Sequence, residues 1–169
     1  MSPITLQLFG NDMGELIRSC AGDFGCIQRE APAAIARFGQ RLAMIADRLR
    51  VAAPDAEIIV LDGWNSRTDF LAESDPLVQA ANATMAAVAA RAGGRFADMV
   101  PVFNPLNGSR IAAICTLTLL CSEGDVHPSD TGYQAMAGAV FEASGYGAPR
   151  GLRARSSPRG GATPAFLKG

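Results

Sequence analysis

The chain has one histidine in 169 residues, His127, so imidazole proton transfer near neutral pH has a single seat. No run reaches the roughly 18 apolar residues that a membrane helix requires, so no span is expected. Met1-Ser2-Pro3 carries no charged n-region and leads straight into strand-like sequence, so no signal peptide is read in this chain. No glycine-rich loop follows a strand, which argues against nucleotide binding. One histidine with carboxylates at offset spacing makes a poor ligand set, so neither a metal nor another cofactor is expected. No internal repeat is evident. Acidic residues are absent after Glu142, where Arg150, Arg153, Arg155, Arg159 and Lys168 lie. With those five removed, ten basic side chains face sixteen acidic ones in the body, a balance of −6. Such a body is poor at holding a phosphate backbone, so nucleic acid is not an expected partner.

What is present is globular composition: 49% hydrophobic and 18% charged residues, in a length that suits one domain with a real core. Residues 1–146 are read as that domain. Residues 147–169 are a basic Gly/Pro/Arg-rich tail, expected to be disordered. Four cysteines fall in two equally spaced pairs, Cys20/Cys26 and Cys115/Cys121. Four cysteines allow three connectivities. Two local bridges are the simplest and suit an oxidising compartment, while four buried thiols are the alternative.

Along the chain, residues 4–9 form a short apolar run closed by Gly10-Asn11-Asp12, the pattern of a parallel strand buried on both faces. Residues 13–30 read as a loop with a short helical turn. Pro32 suits a first helical turn, after which Ile35, Phe38, Leu42, Ile45 and Leu49 make an amphipathic stripe ending at Pro54-Asp55. Residues 57–62 are a second buried strand, followed by Gly63-Trp64-Asn65-Ser66. A helix opens at Pro76 or Leu77 and stops at Gly93-Gly94. Residues 96–100 are a third strand, and 110–120 a short helix. After His127-Pro128, Ser129 is a candidate N-cap for a last helix ending near Gly145. Strands alternating with helices imply right-handed crossovers and a parallel sheet, with functional groups at the C-terminal ends of the strands. Asn11, Trp64-Asn65 and the approach to His127 belong to that end.

Asp125 and His127 are two positions apart, close enough for a loop to bring them into a hydrogen bond. A carboxylate on one imidazole nitrogen fixes the tautomer and leaves the other as a base. The alternative is a capping Asp beside an ordinary surface His. Asn11 can aim an amide N–H at developing negative charge, or can simply serve a turn.

Gly10-Asn11-Asp12 after a buried strand, with Asp125-Val126-His127-Pro128 and Gly132-Tyr133 on a helix, resembles the C-terminal part of the SGNH/GDSL hydrolases across residues 4–146. The resemblance implies a three-layer, flavodoxin-like parallel sheet with flanking helices. It also implies a Ser–His–Asp mechanism on a small-molecule or lipid ester. By position, Asn11 is the oxyanion-hole side chain, His127 the general base and Asp125 its orienting carboxylate. Gly10 and Trp64 are the substrate-contact candidates. For Trp64 and Phe70 the alternative is core packing.

Two departures stand out. The commoner spacing puts the carboxylate three before the histidine, where this chain has Gly124; Glu123 is a weaker substitute for Asp125. The family's Gly-Asp-Ser nucleophile block and its glycine block are missing. Ser66 follows a strand, but Trp64-Asn65-Ser66-Arg67 is not the family's turn, and Ser122 and Ser129 are loop or cap positions. The expectation is therefore an N-terminally truncated α/β hydrolase with about three strands left, inactive alone, from an extracellular parent. The exposed edge of strand 4–9 becomes a pairing site. A non-catalytic remnant or binding module, and a half-enzyme completed by another chain, are the alternatives.

Overall fold

The computed structural model describes residues 3–66 and 71–147. The tail beyond 147 and Phe70 lie outside them. Three parallel strands, β1 (Pro3–Leu6), β2 (Glu57–Leu61) and β3 (Arg95–Ala97), stand in the order β1-β2-β3. Seven helices accompany them among the described residues: α1 (Gly10–Ser19), α2 (Phe24–Ala52), α3 (Leu71–Arg91), α4 (Val100–Phe103), α5 (Arg110–Leu117), α6 (Leu120–Glu123) and α7 (Asp130–Ala143). The molecule is a mixed α/β structure with a parallel sheet. No helix among the described residues is long and apolar enough to cross a membrane.

β2 is the central strand, and its pleat divides the core in two. Ile58 and Val60 pack with Leu16 of α1, Phe38 and Leu42 of α2, and Met85 and Val88 of α3. Ile59 and Leu61 face the other way, onto Ala97, Met99, Phe103 and Met136 of α7. The chain steps in one direction across the sheet, so crossovers of equal hand put α2 and α3 on the same face.

β1 differs from the doubly buried strand that its composition suggests. Ile4 and Leu6 are half-buried while Pro3 and Thr5 are exposed, because only one side of this edge strand is covered. Residues 13–30 are mostly helical rather than loop. α1 begins at Gly10, and α2 starts at Phe24, well before Pro32. The Asp23 carboxylate caps α2 by accepting the Cys26 N–H at 2.6 Å. Ile27 and Ala31 then extend the buried stripe of Ile35, Phe38 and Leu42 backwards by two turns. Pro32 sits inside the helix on its exposed side.

Both cysteine pairs are bonded locally, Cys20–Cys26 joining α1 to α2 and Cys115–Cys121 joining α5 to α6. This bonding is compatible with an extracellular protein.

Candidate functional site

The site grows from the C-terminal end of β2. Asp62 follows the strand and is 2% exposed. Its carboxyl accepts the Met99 N–H at 2.6 Å and the Asn82 amide at 3.2 Å. Asn82, midway along α3, also donates to the Gly63 carbonyl at 2.8 Å and accepts the Gly63 N–H at 3.0 Å. Two residues on, Asn65 and Asn104 clasp each other. The Asn65 N–H donates to Asn104 Oδ1 at 2.6 Å, and Asn104 Nδ2 donates to the Asn65 carbonyl at 2.9 Å. The Asn65 amide reaches Ser74 Oγ and Asp75 Oδ1, both at 2.8 Å. Arg110 grips Asp75 with two bonds of 2.7 and 2.8 Å. Trp64 stacks on Phe103 with ring centroids 4.0 Å apart. The 62–66 segment is thus fastened to α3 and to the residues flanking α4, Met99 and Asn104, by largely buried polar bonds, while Arg110 of α5 secures Asp75 and leaves its own buried Nε without a partner among the described residues.

Burial pushes the Asp62 carboxyl up to about 8, opposed by the Met99 N–H and reinforced by the neighbouring Asp98. Burial therefore favours the protonated, uncharged form of Asp62 toward neutral pH. The Arg110 guanidinium holds Asp75 below the usual carboxylate range.

His127 is held differently. Its carbonyl accepts the Leu119 N–H at 2.9 Å, and the Ser129 N–H donates to Leu117 at 2.9 Å. Pro128 forms an antiparallel bridge with Thr118. Ser129 caps α7 through the Gly132 N–H at 3.2 Å, as its position suggests. Gly132 is required sterically, since a Cβ there would overlap the Leu117 carbonyl oxygen. The loop therefore lies against residues 116–119, which the Cys115–Cys121 bridge braces. Asp125 Oδ1 accepts from both the His127 backbone N–H at 3.0 Å and the ring Nδ1 at 2.5 Å. First the backbone N–H and then the ring hold the Asp125 carboxyl below its ordinary value. An ionised carboxylate only accepts, so Nδ1 carries the proton and Nε2 is the nitrogen left as a base. Gly124 ends α6 with φ 72°, a backbone that suits glycine.

Asn11 is the second residue of α1 and is exposed. The residue before Gly10 is Phe9, whose φ of 136° is rare for a side-chain-bearing residue. Its buried ring packs on Phe38 with centroids 5.4 Å apart, which holds the turn in place.

These parts meet in a cleft of about 380 Å³, lined by Gly10, Asn11, Asp62, Trp64, Ser66 and His127 among others. The sequence candidates Gly10, Asn11, Trp64 and His127 therefore share one wall system, with Asp125 behind His127.

No family model, no curated protein and no solved structure matches this chain.

Sequence reasoning missed the buried Asp62–Asn82 and Asn65–Asn104 pairs. The available signal was an asparagine in the alanine-rich middle of α3 and an aspartate directly after an apolar strand. It also set Ser66 aside, whereas the fold brings Ser66 to the cleft. Among the described residues, no three His, Cys, Asp or Glu side chains gather as a metal site.

Proposed function

We propose that the cleft is the base and oxyanion half of an SGNH/GDSL-type ester hydrolase site, on a sheet of the three-layer flavodoxin-like kind. The observation that carries this reading is the convergence of Asn11 and His127, remote in sequence, on one cleft at the strand ends, with Asp125 on His127 Nδ1. In acyl transfer, His127 Nε2 takes the proton of the attacking hydroxyl and returns it to the leaving alcohol. The Asn11 amide donates to the oxygen that becomes negative in the tetrahedral intermediate. Asp125 keeps the imidazole in the required tautomer.

The nucleophile of this reading is a serine on a further strand beside the open edge of β1, from the parent chain or from another chain. The parent would be extracellular, in keeping with the two disulfides. The chain alone is then expected not to hydrolyse esters. One observation favours a second reading, in which Ser66 is the nucleophile: it lines the same cleft as His127.

The deciding experiment is hydrolysis of a short-chain p-nitrophenyl ester by the purified chain, with His127→Ala and Ser66→Ala beside it. No turnover above buffer in any of the three supports the half-site reading. Turnover lost in both variants supports Ser66. Turnover that survives His127→Ala removes both. Translation of the coding DNA ahead of Met1 adds an independent check, since the half-site reading expects an in-frame Gly-Asp-Ser turn or a partner chain that carries one.

A further inference from the structure

A second cavity of about 320 Å³ opens beside the cleft. Its walls are Met13 and Ile17 of α1, Phe24 and Ile27 of α2, and Leu77 and Val78 of α3, with no charged side chain among the described lining residues. Of its polar lining, Asn65 and Ser74 hydrogen-bond to each other at 2.8 Å. Phe9, Gly10, Trp64, Ser66 and Val126 line both this cavity and the cleft of Asn11 and His127, so the two adjoin. The Cys20–Cys26 bridge and the Asp12–Arg41 ion pair at 3.4 Å tie α1 to α2 and hold two of the walls in a fixed relation.

We infer that this cavity receives one unbranched aliphatic chain of about ten carbons, the hydrocarbon arm of a molecule whose polar head lies in the cleft. At roughly 30 Å³ each, the volume of a water in the liquid, about ten methylene-sized groups fill it. A site this apolar offers a sugar or a peptide few hydrogen-bond partners, and it sits at the small end of ligand pockets. The inference rests on the hydrolase reading only in naming that head as an ester; the chain site stands on its own walls.

Trp64 is the only tryptophan of the chain and lines both spaces, so its emission reports occupancy. The full chain is titrated with straight-chain primary alcohols from butanol to dodecanol. Affinity is expected to rise about fourfold per carbon, the equivalent of ~0.8 kcal/mol per buried methylene, and to level off near ten carbons. Gly14 lines the cavity, and a Cβ there meets only Arg18 Nη1, at 3.3 Å. Gly14→Leu is therefore expected to fold, to fill the cavity and to move the plateau several carbons shorter. Val78→Phe fills it from α3 and serves if Gly14→Leu does not fold. Affinity independent of chain length, or a plateau unmoved in a folded filling variant, overturns the inference. Alcohol binding breaks no bond. Chain-length-dependent binding without ester hydrolysis by any completed site supports the chain site and counts against the hydrolase reading alone; flat binding beside His127-dependent hydrolysis does the reverse.

Discussion

Asp62 and His127 line the same cleft, yet Asp62 is 2% exposed and the His127 side chain 72%. Asp62 is bonded to Asn82 of α3 and to Met99 ahead of α4, and it sits beside a second set of bonds between Asn65 and Asn104, so that buried asparagines satisfy backbone groups far away in sequence. His127 depends on near neighbours: a carboxylate two residues back, a bridge to Thr118 and a disulfide that braces the segment beneath. The contrast teaches a division of labour. The buried polar groups set the shape of the cleft floor at a cost in desolvation that their hydrogen bonds offset. In the proposed function the exposed pair carries the proton chemistry, and a pair this exposed is expected to contribute little to holding the fold.

The largest effect expected from this contrast is a pH dependence. Asp62 binds its proton more tightly in the folded chain, at about 8, than at its ordinary value of 3.8. Between those values the native state holds more protons than the unfolded state. Stability from this group is thus fully present at low pH and is lost as pH rises toward 8, by up to about 1.4 kcal/mol per unit. Asp75 and Asp125, held low, act in the opposite direction below pH 4, so the comparison is between the parent chain and Asp62→Asn. Urea unfolding from pH 5 to 8.5 should slope downward in the parent and lie flatter in the variant; equal slopes would put Asp62 in a wetter place.

A smaller effect is expected for Asn104→Leu, which strands the buried N–H and C=O of Asn65. The expected loss is about 2–4 kcal/mol, read as a lower urea midpoint at unchanged m-value. A loss below about 0.5 kcal/mol would mean that water reaches the clasp. The smallest effect belongs to His127→Ala. A side chain this exposed should shift stability by no more than about 0.5 kcal/mol. A larger shift would make His127 a structural residue and dissolve the contrast.

The two regions also differ in how far the sequence displayed them. The helix after Ser129, the local cysteine pairs and the Asp125–His127 bond involve residues close in the chain, so capping, spacing and tautomer logic reach them directly. β2 is equally legible because a strand buried on both faces must be continuously apolar, and Ile58 to Leu61 are. The beginning of α2 escaped because Asp23, Gly25 and the cysteines resemble loop sequence, while the cap and the bridge that turn them helical are visible only in three dimensions. Asn82 and Asn104 escaped for a related reason. Their partners lie 19 and 39 residues away, beyond any local period. The exposure of β1 turned on its edge position, which a run of apolar residues does not disclose.

The central claim is that Asp125 fixes His127 with Nδ1 protonated and Nε2 bare. As the chain has one histidine, a long-range nitrogen–proton NMR spectrum of the imidazole reads this without assignment. The account predicts the Nδ1–H tautomer of the neutral ring in the folded chain, and a shift toward Nε2–H in Asp125→Ala. An Nε2–H tautomer in the parent, or a spectrum unchanged by Asp125→Ala, would contradict it.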